Sequence, residues 1–177
     1  MEDKISLSLN HRAKPFLKWA GGKKSLLPYL LQCVPKNYEN YYEPFLGGGS
    51  LYFALGPKSA HLSDLNEELI NTYIQVKRNV EELIEHLQKM HYNKKEYYNI
   101  RSINPQNDLE RAARFIYLNK TCWNGLYRVN KKGNFNVPIG RYENPSICDK
   151  KRLRLARTAL QNATLLVVDF EKILDAA

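Results

Sequence analysis

Tyr41-Tyr42-Glu43-Pro44-Phe45-Leu46-Gly47-Gly48-Gly49-Ser50 is the stretch on which the fold of this chain turns. Its first five residues read as the end of a buried strand, and the glycines that follow let the backbone turn and approach a ligand more closely than side-chain-bearing residues allow. A helix predicted over Ser50 to Leu55 aims its first amide groups at the same place. A second strand, Ala60-His61-Leu62-Ser63, then ends in Asp64, where the second strand of a doubly wound unit offers a carboxylate to ribose hydroxyls. This spacing predicts a nucleoside ligand. It does not meet the dinucleotide pattern G-x-G-x-x-G, because the run is Phe45-x-Gly47-x-Gly49 with no third glycine at the required step. A glycine-rich surface loop stays open as the alternative on this stretch alone.

Upstream, Pro15-Phe16-Leu17-Lys18-Trp19-Ala20-Gly21-Gly22-Lys23-Lys24-Ser25 presents an aromatic and a lysine on either side of two glycines. It is not a Walker loop, since Leu17 stands where the first glycine belongs and Lys24 where Ser or Thr should follow the lysine. Trp19 can cover an aromatic or sulfonium ligand, and Lys23 can reach a carboxylate. Trp19 as an ordinary core residue is the competing assignment. The preceding residues 1–12 are polar and read as loose.

The 177 residues suffice for one domain with a small inserted lobe, and 44% hydrophobic content suffices for a core. The net charge of +9 calls for a polyanionic partner. Between Asn119 and Arg157 ten Lys or Arg face only Glu143 and Asp149, so nearly all the excess lies in one segment. Cys33, Cys122 and Cys148 suggest neither a disulfide framework nor a metal site and suit a reducing cytoplasm, and His11, His61, His86 and His91 lack metal-ligand spacing. No apolar run reaches the roughly 18 residues of a membrane span, and residues 1–10 lack the plan of a signal peptide.

After Asp64 the pattern turns helical, with Leu65, Leu69, Ile70 and Tyr73 on one face. Asn79 with Glu82 predicts a capping box for a helix carrying Val80, Leu83, Ile84, Leu87 and Met90. Helices are predicted over Lys94 to Arg101 and, capped by Asp108, over Asp108 to Asn119, and a basic one capped by Asp149 over Lys150 to Gln161. Between them, residues 121–142 place Arg128, Lys131, Lys132 and Arg141 among Trp123, Tyr127, Phe135 and Tyr142 with no acid. This composition predicts a hairpin-like surface that reads nucleic acid, with a solvated loop as the alternative. Basic charge supplies affinity, arginine can read guanine, and aromatic or amide side chains can wedge where a base leaves the stack. Thr164-Leu165-Leu166-Val167-Val168-Asp169-Phe170 reads as a buried strand, and a helix is predicted to start at Glu171 and run to Ala177.

Taken in order, PFLKWAGGK (15–23), YYEPFLGGGS (41–50), LSDLN (62–66) and NKTCWNGLYRVNKKGNFNVPIGRY (119–142) resemble the Dam-type (D12 class, alpha group) DNA adenine-N6 methyltransferases. The resemblance covers roughly Lys14 to Phe170. It implies an α/β fold, a partial doubly wound S-adenosylmethionine-dependent methyltransferase sheet (13–66 and 163–177) into which a helical target-recognition lobe (67–162) is inserted. It further implies S-adenosyl-L-methionine as cofactor, held by Trp19, Lys23, Phe45, Gly47, Gly49, Asp64, Asp169 and Phe170, with the last two beside its adenine. In the lobe it implies DNA contacts by Leu126, Arg128 and Pro138, joined by the basic Lys132 and Arg141, and a wedge of Trp123 and Asn124 near the displaced adenine. Tyrosine is frequent in the family where Trp123 stands. The expected partner is double-stranded DNA carrying GATC, in a bacterial cytoplasm, with no membrane and no metal.

The sequence departs from the family in one respect. Adenine N6 is a poor nucleophile because its lone pair is delocalised into the ring, so transfer needs an acceptor for the amino protons and an aromatic wall for the base. The family supplies both from an Asp-Pro-Pro-Tyr loop, and that tetrapeptide does not occur here; Asn104-Pro105-Gln106 and Asn144-Pro145-Ser146 lack its second proline and its aromatic. The expectations are a chain cut short of its catalytic motif and inactive alone, an open edge beside the Tyr41 strand, weak cofactor binding, poor solubility, and dependence on a second polypeptide. A non-catalytic DNA-binding remnant is the alternative. A nicotinamide-dependent oxidoreductase is disfavoured by the missing glycine, and cytosine-C5 methylation by cysteines that follow Gln32, Thr121 and Ile147 rather than proline.

Overall fold

The glycine run punctuates the chain as its composition requires. In the computed structural model, which describes residues 13–173, strand β1 (Tyr41–Glu43) ends in a turn and helix α2 (Ser50–Leu55) begins directly after Gly49. The polar stretch 1–12 and residues 174–177 of the last predicted helix lie outside the described residues. Strand β2 (Ala60–Ser63) pairs in parallel with β1, Tyr41 opposite Ala60, and β3 (Ala163–Leu166) pairs in parallel with β2, Ala60 opposite Ala163. The sheet order among the described residues is β1-β2-β3. A short 3₁₀ turn (Lys23–Leu26) and helix α1 (Leu27–Cys33) precede it, and α8 (Phe170–Ile173) follows.

Five helices separate β2 from β3: α3 (Glu67–Arg78), α4 (Val80–Gln88), α5 (Lys94–Ser102), α6 (Asp108–Thr121) and α7 (Lys150–Leu160). Helix α3 forms because Asn66 caps it, its side chain accepting from the Leu69 amide at 3.0 Å, with Glu67 and Glu68 in the first turn and Lys77 and Arg78 in the last. Leu69, Ile70, Tyr73 and Val76 bury its inner face completely. Helix α6 buries apolar residues on more than one face because it stands between two cores. Ala112, Ala113, Phe115 and Ile116 join the main cluster with Leu69, Ile70, Tyr73 and Leu83, whereas Tyr117 and Leu118 join a second one with Tyr97, Ile100, Phe135 and Val137.

Several local expectations are corrected. Leu65 is 67% exposed, because the helix starts at Glu67 and leaves it in the preceding loop. Asn79 joins α3 to α4 but does not form the capping box; its side-chain Nδ2 donates back to Gln75 Oε1 at 2.7 Å. Asn107, not Asp108, caps α6, accepting from the Glu110 amide at 2.9 Å, which leaves Asp108 to pair with Arg111. Strand β3 stops at Leu166 and is buried only at Ala163, because it lies at one end of the sheet order; Val167 is exposed. Asp149 does cap α7, accepting from the Arg152 amide at 3.0 Å.

Candidate functional site

The turn after β1 is built around Gly47. Its φ of +49° lies in the left-handed region, and a Cβ there would meet the Trp19 indole at 2.7 Å, so glycine is required on both counts. Three groups hold this residue. Its amide donates to Asp64 Oδ2 at 3.0 Å, its carbonyl accepts from the buried Tyr73 hydroxyl at 3.1 Å, and the indole covers it. Asp64 uses its other oxygen, Oδ1, to accept from the Asn66 amide at 3.0 Å, so this carboxylate links the turn to the start of α3. Gly49, at φ +67°, leaves room for the Tyr73 hydroxyl and the Phe53 ring.

Phe45 and Phe170 meet at the carboxyl ends of β1 and β3, their ring centroids 5.5 Å apart and both about half exposed. Asp169 caps the short α8, accepting from the Glu171 amide at 3.1 Å. Lys23 does not stand open toward a ligand. Its ammonium donates to Glu43 Oε1 at 2.9 Å and to the Phe45 carbonyl at 3.0 Å, and Glu43, buried, accepts at its other oxygen from the Tyr41 hydroxyl at 2.9 Å. Burial and the adjacent carboxylate push the Tyr41 phenol well above its ordinary range.

Trp19 is partly buried in a row of aromatics, its ring stacked on Phe115 at a centroid separation of 6.4 Å and on Tyr127 at 6.0 Å. Tyr127 lies within the basic segment, so the indole that covers the glycine turn also touches the segment read as DNA-binding. Lys18 strengthens this junction: its amide donates to Asn119 Oδ1 at 2.9 Å and its carbonyl accepts from Asn119 Nδ2 at 2.7 Å. Its ammonium lies 4.2 Å from the Tyr142 ring centre and 3.0 Å from the Tyr142 hydroxyl.

Residues 122–139 fold as an irregular hairpin. Antiparallel bridges join Cys122 to Ile139 and Val129 to Phe135, and Gly133 closes the tip by donating to the Asn130 carbonyl at 2.9 Å. Phe135 and Val137 are buried, so the segment contributes to the second core as well as to the surface. Trp123, Asn124, Arg128, Lys132, Pro138 and Arg141 are exposed and Leu126 is half-buried. Asn124 has φ +52°, the one positive value at a non-glycine among the described residues. Arg128 donates through Nε to Asn136 Oδ1 at 2.7 Å. Beneath the hairpin, burial together with the Arg152 and Lys18 charges pushes the Lys120 ammonium down to about 8.

The sequence points to the glycine turn, Trp19, Asp64 and the hairpin, and the structure links them through Trp19, whose indole covers Gly47, the residue bonded to Asp64, and stacks on Tyr127 of the hairpin. Glu43, Tyr73 and Asn119 were not singled out. Glu43 carried a signal, an acid closing a strand immediately before proline, whereas Tyr73 and Asn119 are indistinguishable by pattern from their packing neighbours. No group of three or more His, Cys, Asp or Glu that could hold a metal ion occurs among the described residues, and none of their helices is long and apolar enough to cross a membrane.

A parallel sheet whose strand ends carry a glycine turn held by a carboxylate, joined to a basic hairpin on a helical lobe, makes this an α/β protein with a basic surface set beside the carboxyl ends of its strands. Residues 19–177 match the D12 class N6 adenine-specific DNA methyltransferases, and the chain belongs to that family. It is 45% identical over 174 residues to a Type II methyltransferase of Lactococcus lactis subsp. cremoris, covering 93% of this chain and 61% of the relative. A Type II methyltransferase of Methanocaldococcus jannaschii is 44% identical over 181 residues, 89% of this chain and 63% of the relative. The DNA adenine methylase of Escherichia coli K12 is 36% identical over 160 residues, 85% of this chain and 55% of that enzyme. The chain thus spans about three fifths of the length of the curated relatives it matches.

Proposed function

We infer that this chain holds S-adenosylmethionine and reads double-stranded DNA for methylation of adenine N6, within GATC, in a bacterial cytoplasm. The observation that carries this is the junction at Trp19 and Lys18, where one strap of main chain lies against the glycine turn on one side and the DNA-reading hairpin on the other. Such contiguity suits a reaction in which a base must be brought to a cofactor.

The residues present fit that cofactor. Phe45 and Phe170 offer exposed aromatic faces to a purine, and the Asp64 carboxylate lies beside the turn for a ribose, while Trp19, Tyr73 and Phe53 fill the space at the glycines and fix the shape of the turn. Trp19, Lys23, Gly47, Gly49 and Asp169 complete the set, with Lys23 bracing β1 through Glu43. When bound, the cofactor supplies an electrophilic methyl group on a sulfonium centre. On the DNA side Arg128 donates to guanine, Leu126 and Pro138 present apolar contacts, Lys132 and Arg141 neutralise phosphates, and Trp123 with Asn124 fills the stack beside the displaced adenine.

No Asp-Pro-Pro-Tyr tetrapeptide occurs in these 177 residues, so the acceptor for the amino protons is to be supplied by residues outside them, in the same or a second polypeptide. The binding half is tested by fluorescence anisotropy of labelled duplexes at fixed salt. GATC is expected to bind at least about tenfold more tightly than a permuted GTAC site, with affinity falling steeply as salt rises. Equal affinity for the two duplexes would reduce the hairpin to a non-specific DNA contact.

A further inference from the structure

Asn119 lies in the last turn of α6, beside the hairpin, and is 4% exposed. Its carboxamide is fully engaged by main chain: Oδ1 accepts from the Lys18 amide at 2.9 Å, and Nδ2 donates to the Lys18 carbonyl at 2.7 Å and to the Gly125 carbonyl at 3.2 Å. One side chain therefore clamps the strap that carries Trp19 to the turn that carries Trp123 and Asn124. The turn itself is held under constraint. Asn124 and Gly125 have φ of +52° and +64°, and a Cβ on Gly125 would meet the Lys18 side chain at 2.6 Å. Two further bonds pin its ends, Trp123 amide to Pro138 carbonyl at 2.9 Å and Gly140 amide to Thr121 carbonyl at 2.8 Å. A left-handed non-glycine residue persists only where its surroundings over-determine it.

From this geometry we propose that Asn119 is the positioning residue of the base-displacing turn, fixing Trp123 and Asn124 in register with the cofactor strap so that the adenine they displace arrives beside the glycine turn. Asn119 touches neither DNA nor cofactor. It acts through Gly125 and Lys18, and it rests on the function proposed above, in which Trp123 and Asn124 occupy the stack. A carboxamide suits the role because only a side chain with both a donor and an acceptor satisfies an amide and two carbonyls at once; a carboxylate would face the two carbonyls with no proton to give.

The test uses the whole chain and a GATC duplex with 2-aminopurine in place of the target adenine, whose fluorescence rises when the base leaves the stack. Asn119→Asp is measured beside Gly125→Ala, which perturbs the same contact from the turn without touching the carboxamide. Thermal unfolding of each variant establishes that it is folded. The expected result is a fluorescence rise smaller by about fivefold or more in a folded variant, with duplex affinity changed by less than about threefold. A purely structural Asn119 would instead lower thermal stability and affinity together and leave the signal per bound duplex intact, which overturns the proposal. If only Gly125→Ala is folded, its signal decides by the same criterion. A wild-type chain that binds GATC without any fluorescence rise overturns both the wedge and the positioning role. A wild-type rise that both folded variants retain overturns the positioning role alone.

Discussion

Replacing Gly47 by alanine isolates the contact on which the glycine turn depends. At φ +49° an L-residue costs about 1 kcal/mol relative to glycine, through strain in the left-handed region. The added Cβ would also meet Trp19 at 2.7 Å (Cδ1) and 2.9 Å (Nε1), and the indole cannot retreat freely because Phe115 and Tyr127 stack against it. Overpacking of this kind costs about 2 kcal/mol, for a total near 3 kcal/mol. In a domain of this size that lowers Tm by about 10 °C. Gly56→Ala is the control, since Gly56 has φ +60° and nothing within 4 Å of the added Cβ. It carries the strain alone and should lower Tm by about 3 °C. The pair is measured by circular dichroism, with near-ultraviolet signal reporting the Trp19 environment. Equal losses in the two variants, with an unchanged indole signal in Gly47→Ala, would refute the packing of Trp19 on the turn.

Lys23→Met should cost about 2 kcal/mol in urea unfolding by removing the ammonium that pairs with the buried Glu43 carboxylate, and a second change, Glu43→Gln, should restore part of the loss. Lys120 makes a prediction in pH: its folded value of about 8 lies below the 10.5 of a free lysine, so the unfolded chain holds a proton the folded one has lost between those values. Folding is therefore penalised below about 8 and relieved as pH rises, so Lys120→Met should be more stable than wild type at pH 7 and the gap should close by about pH 10; a gap independent of pH would contradict the burial of that charge. Asn107→Ala should cost about 1 kcal/mol of stability and Asp108→Ala less than about 0.5, the reverse of what the sequence pattern suggests, and chemical denaturation of the two variants separates them.

The elements legible in the sequence are those written in local chemistry. Glycine punctuation placed the turn and helix Ser50–Leu55, and an acid after a four-residue apolar strand placed Asp64 beside that turn. Cap positions slipped where two good capping residues adjoin, as at Asn107 and Asp108, because apolar periodicity does not fix the phase of the first turn. Thr164 to Phe170 reads as a buried strand, but a strand at the end of a sheet order keeps one flank exposed whatever its composition. The junction that unites the two halves was invisible for a different reason. Lys18 and Asn119 are 101 residues apart, and nothing local distinguishes an asparagine that satisfies three backbone groups from one that merely ends a helix. The same holds for Lys23, whose position in a motif suggested a ligand contact while its geometry serves Glu43.

The most direct measurement is transfer of label from methyl-labelled S-adenosylmethionine to duplexes containing GATC, with the 177-residue chain alone and then with a polypeptide bearing the family's Asp-Pro-Pro-Tyr loop. Label recovered as N6-methyladenine, only in the mixture and only with GATC intact, is the expected result. Label transferred by the chain alone would place the proton acceptor among these residues. No label from a mixture that binds both DNA and cofactor would contradict the adenine-methylating function itself.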